Sequence, residues 1–296
     1  MRIVTTPGSN LSDAAIARYG IHVTPHRLVV DDVSHDARDG IPFDEIDRWV
    51  RTARTRPYVV GTSAAEFVSM FRELAKREKQ LVAVMTSRKI IGSHDAALSA
   101  AKALRGHSDA DIRVVDSSVT DLGTGLACVL AAEARNAGQG IDAIVALLET
   151  YAKHAMVGVV IDSLEYMMKG GRAMALRATL ASLLGIRPLI GFVDGELKVV
   201  AKESAKAEPG EVVAKWLATT LRPGDKIALC VMHAGRLARA SSVVAELKRK
   251  YDVRYVWTRP LAPSVYLHSG PGAVAFAAVP IDALPWWPSS LPEDLG

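Results

Sequence analysis

Residues 161–190 read IDSLEYMMKGGRAMALRATLASLLGIRPLI. The stretch falls into three parts: a mostly apolar segment over 161–168, a basic glycine break over 169–172, and apolar residues at helical spacing over 173–184. Gly185 and Pro188 then read as a helix-stop signal. The pair Gly170-Gly171, flanked by Lys169 and Arg172, permits a tight turn that residues with a Cβ resist. Such a turn can cap the following helix or offer N–H groups to an anion, and spacing alone favours the cap.

Upstream of this stretch, apolar runs alternate with helical periodicity. Strands are expected at 2–5, 22–30, 59–63, 80–86 and 112–116. Helices are expected at 11–19 (capped by Asn10 or Ser12), 42–56, 66–77, 95–104, 122–137 and 141–155. That alternation implies parallel β-α-β units in a doubly wound sheet, with ligands beyond the carboxyl ends of the strands. From residue 156 the pattern changes. Strands are expected at 157–161, 189–193, 196–201, 226–232, 253–257 and 273–279, with Asp194-Gly195 as a hairpin turn and helices at 211–221 and 240–251. Hairpin pairing points to a second, more antiparallel α/β layer. The expected organisation is an N-terminal α/β domain over 1–155, a C-terminal α/β domain over 156–282 and a Pro/Trp-containing tail over 283–296. In the tail, Trp286 and Trp287 sit between Pro285 and Pro288 and are expected to pack on the protein's own surface.

The chain has 296 residues, 49% hydrophobic and 23% charged, enough to bury a sizeable core. A net charge of +4 is modest, and the basic groups are mixed with acids and lack interleaved aromatics, which argues against nucleic acid as a partner. Cys128 and Cys230 lie in apolar runs without ligand spacing, as expected of two free thiols in a reducing compartment. No apolar run is long enough for a signal peptide or a membrane span, so a cytoplasmic protein is expected. Asp31, Asp32, Asp36 and Asp39 invite a metal reading, but their irregular spacing favours an exposed loop and no metal is expected.

LEYMMKGGR followed by LLGIRPLI resembles the signature of the DegV family of bacterial fatty-acid-binding proteins. VVDSSVTDLGTG (114–125), GTS (61–63) and HSGPGA (268–273) resemble three further family motifs in the family's order. The resemblance spans about residues 1–280. It implies a two-domain α/β fold with a lipid cavity between the domains, and a fatty-acid carboxylate held by loop residues. Residue by residue, Thr62 and Ser63 resemble the family's Thr-Ser loop, Gly92-Ser93 its Gly-Thr pair, and His268-Ser269 the start of its C-terminal histidine loop. Lys169, Gly170, Gly171 and Arg172 form the signature loop.

The chain also departs from the family. Ile91 stands where a serine is expected and Ser204 where an arginine is expected. Thr6 and Pro7 replace the Asp and Ser of an N-terminal turn. Lys202 or Lys206 is a candidate compensating cation. A sixteen-carbon tail offers roughly 12 kcal/mol of burial at about 0.8 kcal/mol per CH₂. Association costs remove about 4–15 kcal/mol. One charged head-group hydrogen bond is worth about 1.5–3 kcal/mol, so losing two weakens binding by orders of magnitude without abolishing it.

Hydroxyls, imidazoles and glycine-backed N–H groups suit a carboxylate or phosphate-like head group. The resemblance implies a carrier with no cofactor. It would bind a fatty acid or related lipid and present the carboxyl group to an ATP-dependent fatty acid kinase subunit for acyl-phosphate formation. The chain contains no GxxxxGK[ST] motif of its own. The rival reading is a hydrolase or transferase with Ser93 as nucleophile, His94 or His268 as base and Asp95 or Asp116 as acid, although no GxSxG elbow is present. A third is a divergent member that binds another lipid or acts through protein contacts.

Overall fold

The computed structural model describes residues 1–36, 40–169 and 186–292. The expected helix over 173–184, Asp39, and Gly170, Gly171 and Arg172 of the signature loop lie outside them. The first strand, β1 (Arg2–Thr5), runs parallel to β2 (His22–Val23) on one side and β6 (Gln80–Met85) on the other. Strand β7 (Asp111–Asp116) extends the sheet from β6, also in parallel. The order β2-β1-β6-β7 reverses direction of winding between β1 and β6, which makes their carboxyl ends a topological switch point. β6 is buried on both faces, which accounts for its unbroken LVAVM run. Helices α3 (Ala64–Ala75) and α4 (Ser93–Leu104) cover one face through Phe67, Phe71 and Ala97; α5 (Leu122–Asn136) covers the other.

The run 22–30, expected as one strand, is broken at Thr24-Pro25-His26. Pro25 has no N–H to donate to a ladder and restricts the residue before it. The second half, β3 (Arg27–Val30), turns away and pairs antiparallel with β4 (Val33–Asp36) and β5 (Tyr58–Val60) in a separate three-stranded sheet. Part of the segment expected as an acidic loop is thus the edge strand β4. Asp31 and Asp32 form its turn at positive φ, and Asp31 accepts hydrogen bonds from the Arg54 and Thr55 N–H groups. Helix α2 (Phe43–Thr52) sets its Trp49 ring 4.4 Å from the His35 ring of β4.

The third sheet holds six strands in the order β10-β9-β8-β13-β11-β12. Its members are β8 (Met156–Val160), β9 (Ile186–Val193), β10 (Glu196–Ser204), β11 (Lys226–His233), β12 (Asp252–Pro260) and β13 (Val274–Pro280). All neighbours pair antiparallel except β11 and β12, which are parallel. Asp194 and Gly195, both at positive φ, make the two-residue turn between β9 and β10. Pro188, read from sequence as part of a helix stop, lies inside β9, where its carbonyl accepts the Ile161 N–H. A short helix absent from the sequence reading, Pro263–Ser269, connects β12 to β13.

Twelve of the fifteen residues of α5 are buried. A helix apolar all round must be enclosed, and this one packs between the parallel sheet and the six-stranded sheet. Gly125 permits the closeness: a Cβ there would stand 2.5 Å from the Ser9 carbonyl oxygen. The two cysteines are buried and free, and burial pushes the Cys128 thiol up to about 12. In the tail, Trp287 lies 5.7 Å from the Tyr255 ring and the Trp257 indole N–H donates to the Pro292 carbonyl. The described part of the tail, to residue 292, therefore packs on the chain's own surface.

Candidate functional site

A cleft lies at the switch point between the parallel sheet and the six-stranded sheet. Val157 and Val159 of β8, Phe192 of β9, Leu197 of β10 and Met232 of β11 form its apolar floor. Val59, Ile90, Ile91 and Met167 contribute further apolar wall. The polar lining comes from segments that follow the strands and from the short helix: Gly8, His26, Thr86, Thr120, Asp121, Ser264, His268 and Ser269. Among the described residues, no lysine or arginine lines the cleft.

The Thr86 hydroxyl follows β6 and stands at its carboxyl end. It is buried and, among the described residues, has no hydrogen-bond partner. A Cβ on Gly8 would sit 2.9 Å from it, so the glycine leaves room beside that hydroxyl. The Ser269 hydroxyl is likewise buried without a hydrogen-bond partner among the described residues. Buried hydroxyls are normally hydrogen-bonded, so orphans that share one cleft mark a place for polar atoms of a ligand.

Asp121 is buried at φ 54 and ψ −147, backbone geometry that side chains other than glycine's rarely adopt. Its N–H donates to the Gly8 carbonyl at 2.8 Å. Its Oδ1 accepts from Asn10 Nδ2 at 2.6 Å and from the Leu122 N–H at 2.9 Å. Burial pushes its carboxyl up to about 6, against the lowering influence of Asn10, the Leu122 and Ala262 N–H groups and Arg259. Burial likewise lowers His26 to about 4, with Arg27 adding and Glu66 opposing.

The residues singled out from sequence divide. His268 and Ser269 line the cleft, at the end of the short helix rather than in a loop. Ile91 lines it too, as apolar wall where the family pattern has a serine. Thr62 is buried outside the cleft wall; its hydroxyl donates to the Pro25 carbonyl at 2.8 Å and lies 2.7 Å from the Thr24 hydroxyl. Ser63 is exposed and caps α3 in a reciprocal box with Glu66. Gly92 caps α4. Ser93 reaches the cleft only through His26, with Oγ 3.4 Å from His26 Nε2.

His94 Nδ1 is 3.0 Å from Asp95 Oδ1. The imidazole on Ser93 is therefore that of His26, a residue not suspected from sequence. Asp116 binds the Ser118 N–H. Lys202 and Ser204 stand near the opposite end of β10 from Leu197, Lys202 about 16 Å away along the strand. Lys206 lies just beyond the strand; all three are exposed and none lines the cleft. Lys169 pairs with Glu165 at 2.8 Å.

Thr86 and Asp121 were missed as site residues. Thr86 closes the buried run QLVAVMT, so its place at a parallel strand end was a usable signal. Asp121 lay within the quoted 114–125 motif but reads locally as a helix cap.

Comparison with known proteins adds three findings. A family model described as "Uncharacterised protein, DegV family" matches residues 1–280. A DegV domain-containing protein of Deinococcus radiodurans is 27% identical over 289 residues, covering 95% of this chain and 99% of that protein. Among solved structures, a DegV family protein from Thermus thermophilus described as fatty acid binding superposes with a TM-score of 0.84 at 23% identity, over 94% of this chain and 99% of that one. A Thermotoga maritima protein described as revealing fatty acid binding function gives 0.81 at 21% identity, over 94% and 98% of the two chains.

Proposed function

The chain belongs to the DegV family, and from that premise we propose that it binds a long-chain fatty acid, or a closely related lipid, in the cleft between its sheets. One observation carries the reading: the cleft is apolar along its floor and carries orphaned buried hydroxyls, Thr86 and Ser269, among its polar groups. An acyl chain suits the first part and an oxygen-bearing head group the second. The fatty acid binding described for the Thermus thermophilus and Thermotoga maritima proteins supports the same ligand class.

We further propose a carrier role in which the carboxyl group is presented to a partner kinase that supplies the ATP chemistry. The absence of a GxxxxGK[ST] motif from the chain is compatible with that division of labour. A Ser93 hydrolase is less well supported. Among the described residues the hydroxyl meets an imidazole only at a long 3.4 Å, and burial makes that imidazole a weak base.

The test begins with denaturing the purified protein and identifying released small molecules by mass spectrometry against a blank. A near-stoichiometric fatty acid is the expected result. The double substitution Thr86→Val with Ser269→Ala should then weaken fatty-acid binding by at least about tenfold, the value of one hydrogen bond to a charged group. Unchanged affinity in the folded double variant removes this end of the cleft as the head-group site. Acyl-phosphate formation with an added fatty acid kinase subunit, lost when this chain is omitted, checks the carrier role.

A further inference from the structure

Resting on the lipid-binding reading, we propose that Asp121 is a ligand-facing specificity residue, and that a bound fatty acid shares a single proton between its own carboxyl group and that of Asp121. Asp121 lines the cleft and is almost wholly buried, and its Oδ2 makes no hydrogen bond of ordinary geometry among the described residues. It is tied to Gly8 through its backbone, and Gly8 in turn makes room for the Thr86 hydroxyl. Hydrogen bonds from Asn10 Nδ2 and the Leu122 N–H fix the carboxyl through its Oδ1.

The groups facing the carboxyl come from each packed segment. Asn10 approaches from the turn after β1 and the Leu122 N–H from α5. Arg259 approaches from the end of β12, the Ala262 N–H from the loop beyond it, and the Cys230 thiol from β11. Of these only Arg259 carries positive charge, and it does not line the cleft. A fatty-acid carboxylate entering beside an ionised Asp121 would place two like charges in a low-dielectric space, where one of them must take up a proton. The pair then titrates as a unit.

The linkage has a definite sign. Free Asp121 titrates near 6, and a monomeric fatty acid near the ordinary carboxyl value of about 4.3. Above about pH 6 both are ionised before binding while the complex holds one proton. Binding therefore consumes a proton, and affinity falls about tenfold per pH unit. Between about 4.3 and 6 Asp121 already carries the proton, so affinity is nearly flat.

Dissociation constants for palmitate and hexadecanol, measured across this range on the intact protein and on Asp121→Asn, test the proposal. The intact protein should lose palmitate affinity about tenfold per unit above about pH 6, and Asp121→Asn should not. Hexadecanol, which brings its own proton, should bind both without a pH slope. Comparing the two proteins cancels the ionisation of the free fatty acid. Equal palmitate slopes in both proteins, or none in the intact one, overturn proton sharing while leaving lipid binding intact. Failure of both ligands at every pH overturns the lipid-binding reading and this proposal with it. Should Asp121→Asn not fold, calorimetry of the intact protein in buffers of different ionisation enthalpy reads proton uptake directly. Near one proton per palmitate at about pH 7.5 is expected, and zero overturns the proposal.

Discussion

His26 is buried beside the cleft with its imidazole held neutral down to about pH 4. In the unfolded chain the same ring titrates near 6.5. Between these values the unfolded state binds the additional proton, so the native state loses stability as pH falls from about 6.5 to about 4. The loss attributable to this residue is about 3 kcal/mol over the whole window. Urea midpoints for the protein and for His26→Gln should converge in pH dependence above about 6.5, with the variant's flatter below it. Ser63 shows the contrasting case of a residue whose role is local. Its cap on α3 follows from Ser-x-x-Glu in the sequence, whereas the site roles of Thr86 and Asp121 depend on groups from distant segments.

At the scale of elements, α5 is the piece on which both large sheets close. Ala has a better helix propensity than Gly by about 1 kcal/mol, so Gly125→Ala would stabilise an isolated helix. Here the added methyl meets the Ser9 carbonyl at 2.5 Å, a backbone atom that cannot rotate away. Overpacking costs about 1–3 kcal/mol and outweighs the propensity gain. The expected outcome is a lower Tm for Gly125→Ala. Weaker ligand binding should accompany it, because the displaced turn carries Gly8 and Asn10 to Asp121. Periodicity made α5 legible as a helix, but its uniform burial was not. β4 escaped notice because it is a polar edge strand with only weak alternation. The helix Pro263–Ser269 escaped because it is barely two turns long.

Across the whole molecule, the parallel sheet takes its strands from Arg2–Asp116 and the six-stranded sheet from Met156–Pro280, yet one hydrophobic cluster runs through both. The C-terminal segment adds to it: Trp257 is 2% exposed with its indole N–H held by the Pro292 carbonyl. Removing residues 285–296 would uncover Trp257 and Tyr255 and break that bond. A Tm lower by several degrees and a red-shifted tryptophan emission are expected. An unchanged Tm would show that the segment contributes nothing to the core.

Sequence alone determined the α/β class, the alternation of strands and helices, the hairpin at Asp194-Gly195, and, through the quoted motifs, the resemblance to a lipid-binding family. These depend on local periodicity, on positive-φ turn chemistry and on short contiguous motifs, all of which a linear chain displays. Only the tertiary structure decided which polar groups share the cleft. It turned Thr62 to Thr24, set His26 beside Ser93, left Lys202 on an exposed edge, and gathered Thr86, Asp121 and Ser269 around one space. The reason is physical: a buried hydroxyl or carboxyl acquires its function from what surrounds it, and those neighbours are distant in the chain, as Asn10 is from Asp121 by 111 residues.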